Sequence, residues 1–133
     1  MRKVLMALLM VAGAGCLNED VVGTKTATGV YTLRTINNTQ LPWTVPASGT
    51  TKTEILDAVV TLYQGGTYAE TSHVRVTTNG VAATQTREDT GSYNFFGISV
   101  TMVSSAGNPE RRGRIEVSTM TIVEEGKTSV YQK

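Results

Sequence analysis

Ile98-Ser99-Val100-Thr101-Met102 is the stretch on which the fold class turns. Apolar and polar residues alternate along it. In an extended chain Ile98, Val100 and Met102 share one face, and Ser99 and Thr101 share the other. The same grammar repeats outward in both directions. Residues 30–36, 55–63, 67–77, 83–88, 92–96, 98–103, 112–117, 119–124 and 128–132 read as short strands. Turn residues separate them: Gln64-Gly65-Gly66, Asn79-Gly80, Asp89-Thr90-Gly91, Ser118 and Glu125-Gly126. The chain has 22 threonines, and with its valines they favour extended backbone over helix. Residues 53–62 are the one window where a helix competes, with Thr53 as a cap. The β-branched run Val59-Val60-Thr61 argues for a strand there.

Eight or nine strands joined by sequential hairpins describe an antiparallel meander. A meander of this length hides its edges by closing on itself, which predicts an all-β, up-and-down barrel of about eight strands. A two-sheet sandwich is the alternative, because it too buries one face of each strand. Gly29-Val30-Tyr31, Gly66-Thr67-Tyr68 and Gly91-Ser92-Tyr93 each open a strand, a reused device in which Gly turns the backbone and Tyr begins a half-buried run.

On these stretches, with Thr90-Gly91-Ser92-Tyr93-Asn94-Phe95-Phe96-Gly97-Ile98 and the ending Gly113-Arg114-Ile115 through Met120-Thr121-Ile122, the chain resembles the short lipocalin-like domains of bacterial lipoproteins. Tyr31 stands where lipocalins carry a Trp in their opening G-x-W. The resemblance implies a lipocalin-like barrel over residues 28–133.

The N-terminus has the tripartite plan of an export signal: Arg2-Lys3, an apolar run from Val4 to Ala12, then Gly13-Ala14-Gly15. The run is too short to span a bilayer, which takes about 20 residues. Residues 1–15 are expected to be removed. Ala14-Gly15-Cys16 resembles the end of a bacterial lipobox, and Cys16 is the only cysteine of the chain. The resemblance implies acyl chains on Cys16, with residues 16–27 a flexible tether and the membrane as partner. Leu17, where Asp would favour the inner membrane, points to the outer membrane. Cleavage after Ala14 is the competing reading; it would leave Cys16 a free thiol on a secreted or periplasmic protein.

The 133 residues suffice for one domain. Twelve basic residues balance eleven acidic ones, so there is no electrostatic footprint for nucleic acid. His73 is the only histidine and shares a strand face with Thr71 and Arg75, a face expected to meet solvent. Glu88-Asp89 and Glu124-Glu125 fall at turns. No catalytic set, metal site or cofactor is expected.

A non-catalytic, monomeric binding module remains, holding a small apolar or amphipathic molecule in or at the mouth of the barrel. Trp43, in a loop bounded by Pro42 and Pro46, is a plug for one end or a ligand contact. Tyr68 and Tyr93 are aromatic candidates for the binding site. Arg111-Arg112-Gly113-Arg114 is the one local basic cluster, and its residues, Arg112 and Arg114 above all, are either a charged edge that resists sheet pairing or an anion contact at the rim. The competing reading puts Tyr68 and Tyr93 in the core with Tyr31, Tyr63, Phe95 and Phe96, since interiors are close-packed. The alternative function is a structural lipoprotein with a filled barrel, contacting another envelope protein.

Overall fold

The computed structural model describes residues 26–47 and 49–133, so the signal segment, Cys16 and the tether up to residue 25 lie outside the described residues. The described chain is all β. Its ten strands are β1 (Gly29–Ile36), β2 (Thr39–Gln40), β3 (Trp43–Thr44), β4 (Thr51–Leu62), β5 (Thr67–Thr78), β6 (Val81–Phe96), β7 (Ser99–Ser104), β8 (Arg111–Glu116), β9 (Thr119–Glu124) and β10 (Lys127–Gln132). From β4 to β10 each strand pairs antiparallel with the next. β10 then pairs with β1, and β1 pairs with β4 from Gly29↔Leu62 to Thr32↔Val59. That last ladder closes eight strands into one barrel and excludes the two-sheet sandwich. The short strands β2 and β3 lie outside the ring, on β1 and β4.

Alternation sends one face of every strand inward. Tyr31, Leu33, Val60, Leu62, Tyr68, Val100, Met102, Ile115, Met120, Ile122 and Tyr131 form the core and are almost wholly buried. Each such side chain contributes roughly 1.5–3 kcal/mol by leaving water. Two bulges reset the period. One lies between Leu33 and Thr35, so both Leu33 and Ile36 face in. The other lies between Ile55 and Asp57, so Ala58 faces in together with Ile55, which pairs with inward Val74.

Three details differ from the sequence reading. Asp89-Thr90-Gly91 is not a turn: residues 81–96 form one continuous strand. Gly91 serves close packing, since a Cβ there would collide with the Val103 carbonyl and crowd the Tyr68 ring. Gly113 does the same against Thr121 and Ile122. The loop around Trp43 contributes two short strands. Tyr63 and Phe96 are exposed and not in the core, because Phe95 takes the inward place on β6 and Tyr63 sits beyond the last β4 pair. Ala27 is buried, accepting a 2.7 Å hydrogen bond from the Tyr31 hydroxyl, so the packed body begins there.

The barrel has two unlike ends. The β4–β5, β6–β7 and β8–β9 turns lie at one, together with Ala27. The β1–β2, β5–β6, β7–β8 and β9–β10 turns lie at the other. The first end is closed by packing. At the second, Asn37 stitches the β1–β2 and β9–β10 turns: its Nδ2 donates to the Gly126 carbonyl, and the Thr128 amide donates to its Oδ1.

Candidate functional site

The second end is hollow. A cavity of about 930 Å³ runs from the surface loops down to Tyr131 and Ala58. Its walls differ in chemistry. β1, β3 and β4, with the segment after β3, supply Leu33, Ile36, Trp43, Val45, Pro46, Ile55 and Ala58, and β5 adds Val74. The facing strands supply Glu70 and Ser72 from β5, Arg87 from β6, Arg111 from β8, Glu124 from β9, and Lys127 and Ser129 from β10. An adjoining recess of about 580 Å³ shares the polar wall and extends it past Asp89 to Asn108.

Strand parity explains the polar wall. On β8, Ile115, Gly113 and Arg111 share one face, and Ile115 is in the core, so Arg111 must turn in. On β5, Tyr68, Glu70, Ser72 and Val74 share a face for the same reason.

Arg111 is the centre of the polar wall. Its Nη1 lies 2.5 Å from Glu70 Oε2, and its Nη2 lies 3.6 Å from Asp89 Oδ2. Its guanidinium also sits over the Tyr68 ring, 5.6 Å from the centroid. Burial pushes the guanidinium's pKa down, but the Glu70 carboxylate beside it wins and holds it above the usual range. Asp89 accepts hydrogen bonds from the Tyr68 hydroxyl at 2.7 Å, Ser104 Oγ at 2.6 Å and Asn108 Nδ2 at 3.3 Å. Burial raises the Asp89 carboxyl, yet these hydrogen bonds and Arg111 together hold it below its ordinary value. Burial, reinforced by Glu70, raises the Tyr131 phenol well above its own. At the mouth Lys127 and Glu124 pair at 2.7 Å.

Two polar atoms of this wall are buried without an aligned hydrogen bond: Arg111 Nη2 and Glu70 Oε2. Such atoms are uncommon, because leaving one unmade costs about 1–3 kcal/mol. Both belong to residues that line the cavity.

Of the residues singled out in the sequence, Trp43 lines the cavity and packs against the core. Tyr68 lies beneath it, with its hydroxyl engaged by Asp89. Tyr93 sits toward the closed end, its hydroxyl donating to the Tyr63 carbonyl. Arg112 and Arg114 are on the outer face, paired with Glu110 and Glu116. The structure therefore does not bring these five together. It brings Trp43 together with Arg111, Glu70, Arg87 and Lys127. The missed signal was the parity fixed by Ile115, which names Arg111 as the inward member of its cluster.

His73 is on the outer face, as expected, 2.6 Å from Asp57. Among the described residues no three His, Cys, Asp or Glu side chains converge on a metal site. No family model and no curated protein matches the chain.

Proposed function

We propose that this protein is a non-catalytic, lipid-anchored cell-envelope binding module that holds a small amphipathic molecule in the open end of its barrel. The two-sided cavity carries this reading. About 930 Å³ lies within the range of small-molecule sites, roughly 300–1,000 Å³. Apolar parts of a ligand would lie along Trp43, Val45, Ile55 and Ile36. Its polar group would accept from Arg111 Nη2 and donate toward Glu70 Oε2, two buried atoms that have ion-pair neighbours but no aligned hydrogen bond within the wall. Arg87, Arg111 and Lys127 face Glu70, Asp89 and Glu124, and Glu88, Glu110 and Glu125 add further carboxylates at the rim, so the lining is acidic overall and favours a neutral or zwitterionic head over an anion. The anchor is Cys16, on the strength of the export signal and the residues around it.

Titrating the purified protein with fatty alcohols, monoacylglycerols and zwitterionic lysolipids while reading Trp43 emission tests the binding. A saturable shift with at least one of them is expected, and it should weaken in Arg111→Met. No response across the whole panel would sink the reading. Intact mass of the membrane-extracted chain tests the anchor separately: acyl mass on an N-terminal Cys16 supports it, and an unmodified chain starting at Gly15 removes it.

One observation favours an interaction role as a second reading. β7 pairs with β6 only along Gly91–Phe96, so the other edge of residues 81–89 has no strand partner among the described residues. An open edge is a template for an added strand. Hydrogen exchange along residues 81–89 that slows only in intact envelopes would support this second role.

A further inference from the structure

The closed end carries apolar side chains where a water-soluble barrel has no use for them. Phe96 is 89% exposed and Val117 is 92% exposed, and Ile98 and Tyr63 are exposed beside them. Tyr63, Ile98 and Val117 sit on the β4–β5, β6–β7 and β8–β9 turns and Phe96 ends β6 beside the second of them, and these turns are tied into one ring. Tyr93 Oη donates to the Tyr63 carbonyl, the Ile115 amide to the Ile98 carbonyl, and the Lys133 amide to the Ser118 carbonyl. The opposite end presents Asn37, Asn38, Asn79, Glu125 and Asn108 on its turns, with Val81 the exception.

Val117 is the most informative of the four. Its φ is 57°, in the left-handed region that a β-branched side chain enters only under strain. Every other left-handed residue described in the chain is Gly or Asn. Being exposed, Val117 gains no packing in return. Strain without a folding benefit marks a position held for contact with something else.

The chain's own course says what that is. The packed body begins at Ala27, which lies at this end, and ten positions separate Thr26 from Cys16. A ten-residue segment reaches at most about 33–36 Å. An end-on approach of the closed end to the bilayer fits that reach. An approach by the open end would first require the tether to run the length of β1.

We propose that the closed end is a lipid-contact surface, in which Phe96, Ile98 and Val117, flanked by Tyr63, dip into the headgroup boundary of the bilayer. This rests on the lipid-anchored reading of Cys16. It fixes the orientation of the barrel: the cavity mouth faces water, so ligand is taken from the aqueous side and not laterally out of the membrane.

The test uses the protein as processed by the cell, bound to vesicles of brominated phosphatidylcholine and phosphatidylglycerol. In the Trp43→Phe, Phe96→Trp chain the emission is expected to be strongly quenched. In the wild type, whose only Trp is at the far end, it is expected to be unaffected. A vesicle-bound Phe96→Trp chain without quenching overturns the proposal, and quenching of Trp43 in its place overturns it by reversing the orientation. Melting of each variant in solution checks that the fold persists. Val117→Asn in the Phe96→Trp background should melt higher and be quenched less; a lower melting temperature with unchanged quenching would overturn the assignment of that tip. Intact mass of the same sample keeps the two readings apart. Acylated and unquenched protein loses only the contact surface. Unacylated protein that still binds and is quenched loses only the anchor, and unacylated protein that does not bind loses both.

Discussion

Toward its closed end the barrel is filled by Tyr31, Val60, Leu62, Tyr68, Val100, Met102, Met120 and Ile122. Toward its open end the same sheet lines a cavity of about 930 Å³ that opens to solvent. The change happens within single strands. Inward positions on β9 pass from Met120 and Ile122 to Glu124. On β8 they pass from Ile115 through Gly113 to Arg111, and on β10 from Tyr131 through Ser129 to Lys127. β1 and β4 do not change: Tyr31, Leu33 and Ile36, and Leu62, Val60, Ala58 and Ile55, are apolar throughout. The closed half therefore carries the stability, and the open half gives up packing for an amphipathic chamber.

The largest effect expected from this contrast is in the closed half. Leu62→Ala should cost about 2–5 kcal/mol, the usual range for a packed core leucine. Val74→Ala, on the chamber wall, should cost well under that, because water can enter the space it leaves. Chemical denaturation of the two variants measures both. Equal losses would break the comparison, since they would mean that the upper half is packed like the lower.

Next in size is Arg111→Met, which leaves Glu70 without its cation. A fully buried pair broken in this way loses about 3–5 kcal/mol; with the chamber open to water, about 1–3 kcal/mol is expected. Glu70→Gln with Arg111→Met should recover part of the loss. A double-mutant cycle showing no coupling would remove the ion pair from the account.

How far the sequence carried can be seen on individual strands. Alternation in residues 98–102 and the spacing of turn residues were enough for an antiparallel barrel, because one buried face imposes period two whatever fills the interior. Asp89-Thr90-Gly91 misled, since the same three residues serve a turn or, as here, a close crossing of strands with Asp89 as an inward hub. The chamber was hardest to see. A polar residue facing in has the same sequence pattern as one facing water, and only register distinguishes Arg111 from Arg112. The bulges in β1 and β4 shift that register, and nothing local in the sequence marks them.

A smaller effect sharpens the contrast from the other side. Ser72→Leu places an apolar side chain into the chamber. In a close-packed interior such an insertion costs about 1–3 kcal/mol. Here less than about 1 kcal/mol is expected, because the volume is free. The same variant should abolish any Trp43 response to amphiphiles. A large loss of stability would show that the space is not available in solution.

The smallest expected effect compares an outer carboxylate with an inner one. Glu54 lies on the outer face and accepts from Arg75 at 2.8 Å and Lys52 at 2.9 Å. Those hydrogen bonds, Arg75's first, hold its pKa at about 2, against an ordinary 4.5. A carboxyl lowered on folding adds stability that is fully present above its unfolded value and is lost as pH falls through its folded one. Glu54 therefore contributes to acid unfolding between about pH 4.5 and 2. Asp89 is lowered as well, so its contribution has the same sign and also fades below the usual carboxylate range. The two differ in their partners' access to salt. Arg75 and Lys52 are each exposed, whereas Arg111 is nearly covered. At 1 M ionic strength the Debye length shrinks to about 3 Å, which screens exposed pairs far more than covered ones. Acid titrations of Glu54→Gln at low and high salt should differ from wild type only at low salt. Those of Asp89→Asn should differ at both. If salt removed the two contributions alike, Arg111 would have to be as open to solvent as Arg75 and Lys52, and the lining would be an outer surface folded inward, with no sheltered polar wall to receive a headgroup.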